Sequence, residues 1–238
     1  MFFAIGFQLC FDFVPIFTLS RVAFSYQTEK QSCGKHKMFP AISESVSKWK
    51  CSGDWRTIRQ IVSQVPEDER RKFSWIWPTE ECLKSLGRSL EVCGINKILS
   101  IGCGSGLFEW IIQESCGIKV SGLELDKSWW TSSYAPDTFI PLNFTETPID
   151  GDFLQKCARS GDFCLMFCYF NNGAAFRDYL RHFRGDFVVI GGPKLGAGIH
   201  TDPSPDALLG EKFWELKAKI EVGDSTNIIA IYQKLHNM

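Results

Sequence analysis

The stretch "ILSIGCGSGLFEWII", Ile98 to Ile112, decides the fold. An apolar run ends in three glycines at alternate positions, Gly102, Gly104 and Gly106, then resumes as apolar residues at helical spacing. The pattern predicts a strand that turns sharply into a helix while its backbone closes on a ligand. Side chains at the turn would block that approach, so glycine is favoured there. The helix start then offers unpaired N–H groups to whatever binds.

Outward from the turn, strands and helices alternate. "KILSI" (Lys97 to Ile101) reads as a buried strand, "LFEWIIQES" as a helix stopped near Gly117, and "KVSGLEL" (Lys119 to Leu125) as a second strand. A polar, proline-bearing region follows, with a short third strand expected near "TFIPL". "DFCLMFCYF" (Asp162 to Phe170) and "DFVVIGG" (Asp186 to Gly192) read as strands on either side of a helix, "AAFRDYLRHF". Such alternation indicates a parallel sheet with helices on both faces. Two strand-like runs around "GDS", "KFWELKAKIEV" and "TNIIAIYQKL", then predict a terminal antiparallel hairpin. Upstream, "FSWIWPTEECLKSLGRSL" predicts a helix with Pro78 in its first turn, Thr79 as a cap, and an apolar stripe of Leu83, Leu86 and Leu90.

Spacing then narrows the ligand. A nicotinamide or flavin fingerprint, GxGxxG, would put its third glycine where this chain has Leu107. The second strand ends in "GLELD", with Glu124 placed to accept the hydroxyls of a ribose. Glycine turn, strand-end carboxylate and terminal hairpin form a coherent set.

With these residues, Ser74 to Leu235 resembles the class I S-adenosylmethionine-dependent methyltransferases, in a poorly characterised branch. "ILSIGCGSG" is similar to their first motif and "VSGLELD" to their second. "GDF" with Asp152 loosely resembles the third, whose acid lies near the adenine amino group, and "DFCLMFCYF" resembles the fourth. "FSWIWPTEECLKSL" is similar to a segment that helps close over the cofactor. The resemblance implies an α/β, Rossmann-like methyltransferase fold. Its mostly parallel seven-stranded sheet would end in an antiparallel hairpin and carry helices on both faces. It also implies S-adenosyl-L-methionine as cofactor, held by Ser100, Gly102, Cys103, Gly104, Gly106, Glu124, Leu125, Asp152 and Cys168.

One position departs from the family's pattern. Members carry Asp or Glu two residues before the first glycine, against the cofactor's methionine portion; here that residue is Ser100. A lost charge-assisted contact costs roughly 1.5–3 kcal/mol. Glu109, in the following helix, replaces it only if the geometry folds it back, and the expectation is that it does not. Binding is then expected more readily than efficient turnover, and Ser100→Asp is expected to tighten binding.

Methyl transfer rests mainly on alignment, and needs a base only where the acceptor must lose a proton. Strand ends are the place to look, and "CYFNNG" offers Tyr169, Asn171 and Asn172, which are also ordinary turn residues. "GIHTDPSPD" offers His200 and Asp202, with a capping loop as the plainer reading. Trp75, Trp77, Trp129 and Trp130 either border the cofactor or fill the core. The proline-flanked Asn motif of nucleobase and amide methylation is missing, so the acceptor, small molecule or protein, stays undefined.

Composition sets the outer bounds. The chain has 238 residues, 45% hydrophobic, with 26 basic against 27 acidic side chains, so it lacks the basic surplus of a nonspecific nucleic-acid binder. Its basic stretch from Lys48 to Lys72 is interleaved with acids and reads as a solvated helical face. Ten cysteines form no CxxC pair, and several sit in apolar runs, which points to a reducing, cytoplasmic setting without a structural metal. Residues 1–73 read as an N-terminal extension and 74–238 as the methyltransferase-like domain. Within 1–20 an apolar, phenylalanine-rich segment is interrupted by Asp12 and Pro15. It leaves open a packed extension, a membrane or targeting segment, or a misassigned start. Two rivals stand beside the methyltransferase reading: an inactive Rossmann-like interaction module, and an NAD-dependent oxidoreductase.

Overall fold

The structure, a computed structural model, describes residues 53–66, 70–71, 74–145, 150–159, 161–223 and 226–236. The apolar segment at 1–20 lies outside them. Helix α1 (Trp55–Ser63) comes first, followed by α2 (Glu80–Val92) and strand β1 (Lys97–Ile101). The glycine turn leads into α3 (Leu107–Cys116), then β2 (Lys119–Glu124), a single turn α4 (Lys127–Trp130) and β3 (Leu142–Phe144). Helix α5 (Gly151–Cys157), β4 (Cys164–Cys168), α6 (Gly173–His182) and β5 (Phe187–Pro193) follow, and β6 (Trp214–Val222) and β7 (Asn227–Lys234) close the sheet.

The seven strands lie in the order β3-β2-β1-β4-β5-β7-β6. β1 to β5 run parallel, and β7 inserts antiparallel between β5 and β6. This is the Rossmann-like methyltransferase arrangement, a doubly wound sheet finished by a reversed hairpin. The strand order reverses at β1/β4, so the carboxyl ends of β1 and β4 flank the crevice where open α/β sheets bind ligands.

Period-two alternation divides each strand between two cores. Ile98, Val120, Met166, Val189 and Ile231 face α1, α2 and α3, joined by Ile58, Leu86 and Ile111. Leu99, Leu123, Phe167, Ile190 and Tyr232 face the opposite way, against Leu154 of α5 and Phe176 and Tyr179 of α6. Both faces are covered, which is why the parallel strands read as unbroken apolar runs. α1 is capped by Asp54, which accepts the Thr57 N–H at 3.0 Å, and it buries Trp55, Ile58 and Val62 in the first of these cores.

Some elements depart from the sequence expectation. The third strand falls near "TFIPL" as expected but takes only its last residue, running Leu142–Phe144, because Pro141 has no N–H for a ladder and contributes only its carbonyl, to Gly122. Phe139 and Ile140 of that stretch are buried plugs instead. Pro78 precedes the cap of α2 rather than lying in its first turn; Thr79 does cap it, accepting the Cys82 N–H at 3.1 Å. α5 occupies a stretch that carries no long apolar period, and is started by Asp150 accepting the Phe153 N–H at 2.7 Å. Cys82, Cys93, Cys103, Cys116, Cys157, Cys164 and Cys168 are free thiols. Among the described residues no helix is long and apolar enough to cross a membrane.

Candidate cofactor site

All three turn glycines adopt left-handed backbone, with φ of +67° at Gly102, +63° at Gly104 and +75° at Gly106. The reasons for glycine then diverge. A Cβ at Gly106 would overlap Ile140, and one at Gly102 would meet the Phe170 ring at 3.0 Å. At Gly104 a Cβ would meet nothing within 4 Å, so the backbone there borders open space. Gly106 caps α3 without a side chain, leaving the first N–H groups of that helix facing the turn.

The pleat brings three expected residues to one side of the sheet. Ser100 of β1, Glu124 of β2 and Cys168 of β4 share parity with Ile98, Val120 and Met166, so all three lie on the α3 side at the strand ends. Glu124 reaches back to the turn and accepts the Gly104 N–H at 2.6 Å. It also accepts the Leu125 N–H and a hydrogen bond from the Trp130 side chain. Burial nevertheless raises its carboxyl to about 7.

Ser100 is fully buried, and its hydroxyl donates to Glu109 Oε1 at 2.8 Å. The expectation that Glu109 stays away from this position is therefore corrected. As the third residue of α3, it lies on the helix face packed against β1, where sequence spacing gives its position but not its rotamer. Glu109 is 2% exposed. Burial, together with the charge of Glu124, raises its carboxyl to about 7 against the pull of its own backbone N–H and of Ser100. The thiols of Cys103 and Cys168 are raised well above the ordinary cysteine range, first by burial and then by the Glu109 charge. Cys103 Sγ sits where a Cβ on Gly122 would be, so Gly122 is small to admit it. Among the described residues no lysine, arginine or histidine contributes to the charge balance of either glutamate.

Asp152 is not brought to this cluster. It lies in the first turn of α5, beyond the end of β3, with its side chain 84% exposed and paired to Arg184 at 2.9 Å. The end of β3 is marked instead by Thr145, which is buried and donates its N–H to the Glu124 carbonyl at 3.1 Å. Leu125 follows β2 with an exposed side chain and takes part through its N–H. Trp130 has a role that composition did not suggest, as a donor to Glu124; Trp129 and Trp130 are half-buried on the short helix after β2.

The acceptor candidates lie at the ends of β4 and β5. Tyr169 adopts φ +51°, stacks on Trp75 with ring centroids 5.2 Å apart, and donates its hydroxyl to Asn227 Oδ1 at 2.6 Å. Ile76, fully buried in the same segment, packs over Gly191 of β5. Asn172 caps α6 and accepts the Ala175 N–H at 3.0 Å, which is the turn role. Asn171 forms an isolated backbone bridge with Asp202, whose carboxylate rests against Gly173 at the start of α6. His200 is exposed. Thr201 is buried against Gly192, with Oγ1 lacking a hydrogen-bond partner among the described residues.

No protein-family model and no curated protein matches the chain. Solved structures do. Cofactor-bound Rv0187 from MTB is 15% identical, over 91% of this chain and 97% of that one, with a TM-score of 0.45. A SAM-dependent methyltransferase from Aquifex aeolicus is 12% identical over 66% and 99%, at 0.40. Magnesium protoporphyrin IX methyltransferase from Synechocystis PCC 6803, with bound SAM, is 12% identical over 65% and 79%, at 0.38. The fold assignment stands on the strand order and the turn, which together define an α/β module with a Rossmann-like, methyltransferase-like fold.

Proposed function

We propose that this chain binds S-adenosyl-L-methionine at the glycine turn and transfers its methyl group to an acceptor not yet defined. The observation that carries the reading is Glu124: a carboxylate at the end of β2, hydrogen-bonded to the turn it faces, beside the open space at Gly104. Glu124 would hold the ribose hydroxyls, and the backbone of Gly102 to Gly104 would line the approach. When bound, the cofactor supplies an electrophilic methyl on a sulfonium. Tyr169, stacked under Trp75, and the segment around Ile76 would exclude water from the crevice. A nicotinamide dinucleotide fits poorly, since its pyrophosphate would meet Glu109 and Glu124, for which no basic partner is found among the described residues.

A second reading keeps the fold without the chemistry. The Tyr169 hydroxyl is committed to Asn227 and Asn172 to a cap, which favours an interaction module that binds cofactor weakly or not at all. Calorimetry with S-adenosylhomocysteine and NAD separates the possibilities. Saturable binding of the former, lost in Gly104→Val and Glu124→Ala, supports the first reading. No heat at millimolar ligand leaves the interaction module, and tight NAD binding reverses the order.

A further inference from the structure

The ribose reading leaves the Ser100–Glu109 pair unused. Glu109 is a buried acid whose Oε1 takes the hydroxyl of Ser100, and a buried carboxylate is costly to ionise without a counter-charge. Its titratable surroundings are Glu124 from β2, Cys103 from the turn and Cys168 from β4, none of which supplies positive charge. The positive end of α3 favours an anion in its first turn, but does not balance a full charge. The compensation missing among the described residues is therefore cationic, and its place is beside the turn whose backbone borders open space at Gly104.

We propose that Glu109, oriented by Ser100, receives the primary ammonium of the cofactor's amino-acid portion, so that the anchoring carboxylate comes from α3 rather than from β1. This rests on the S-adenosylmethionine reading above. Ser100 is a positioning residue: its hydroxyl fixes the carboxylate and carries no charge of its own. The site then discriminates ligands by their amine, and adenosine compounds lacking it lose the contact.

The test is calorimetry on the full chain with S-adenosylhomocysteine and with its analogue in which hydrogen replaces the amino group. Wild type is expected to prefer the amine by about tenfold or more, the worth of a charge-assisted hydrogen bond. Glu109→Gln, which keeps the shape and can still accept from Ser100, is expected to bind the two alike. Ser100→Ala is expected to retain part of the preference. A general loss of packing would weaken both ligands together and leave their ratio unchanged. Binding of both ligands by wild type without preference, or full preference retained in Glu109→Gln, overturns the role of Glu109 while leaving the cofactor reading intact. Binding of neither ligand by wild type overturns both.

Discussion

The two halves of the crevice are built on different principles. At the ends of β1 and β2, the carboxyls of the buried Glu109 and the half-buried Glu124 are raised to about 7 and balanced by no basic side chain among the described residues. At the ends of β4 and β5, the polar groups of Tyr169, Asn172 and Asp202 are turned to Asn227, to the α6 cap and to Gly173. The first half holds carboxyls without counter-charge, and the second has paired most of its polar groups internally, Thr201 Oγ1 excepted. On the proposed reading, ligand contacts through charge belong to the β1–β2 side, and the β4–β5 side contributes through shape.

The largest expected effect comes from adding charge to the first half. Ser100→Asp sets a second carboxylate against Glu109 in a fully buried position, so it should destabilise by about 3–5 kcal/mol. That contact sets a cost in stability against the tighter binding expected of this variant from sequence. Ser100→Asp combined with Glu109→Gln should regain most of the loss in urea denaturation; equal loss in single and double variants would break the pairing.

A second effect follows from the sign of the Glu109 shift. Its folded pKa lies above the ordinary 4.5, so the native state holds the proton more tightly than the unfolded chain. Stability from this group is full below about pH 4.5 and is lost as pH rises through about 7, by on the order of 3 kcal/mol. Glu124 shifts in the same direction. Ligand-free Glu109→Gln should thus melt higher than wild type at pH 8, with the gap closing toward pH 5. A constant gap across that range would show that the carboxyl is not the titrating group.

Gly106→Ala tests the turn itself. The left-handed φ and the overlap with Ile140 together should cost about 2–4 kcal/mol, read by chemical denaturation. Gly104→Ala meets only the backbone penalty and should cost about 1–2 kcal/mol. The smallest effect is expected in the second half. Tyr169→Phe removes one hydrogen bond to Asn227, about 1 kcal/mol, and should leave S-adenosylhomocysteine affinity within twofold. A large affinity loss there would erase the contrast between the halves.

Much of the first half is legible in sequence because backbone geometry dictates it. Three alternate glycines, a strand on either side and a carboxylate closing the second strand are positional signals that survive any packing. Glu109 is different. Its place in the chain is plain, but whether it turns to Ser100 depends on which face of α3 meets β1. Asp152 fits the pattern only loosely, because a string as short as "GDF" resembles a motif wherever it falls, and it lies in α5 rather than at the end of β3, Phe144. β3 falls near the stretch that suggested it, and Pro141, with no N–H for the ladder, sets its start at Leu142. α5 and α4 are short and held by single Asp caps, which carry little periodicity for a reader of sequence.

Binding at the turn is tested most directly by titrating isotope-labelled protein with S-adenosylhomocysteine and following backbone amides by NMR. The amides of Gly102, Gly104, Gly106 and Leu125 should shift saturably, with Gly104 among the largest because its N–H now rests on Glu124. Unchanged spectra at millimolar ligand would contradict binding at the turn, and so would shifts confined to the cleft formed by Lys194, Asp206 and Lys219 beside the terminal hairpin.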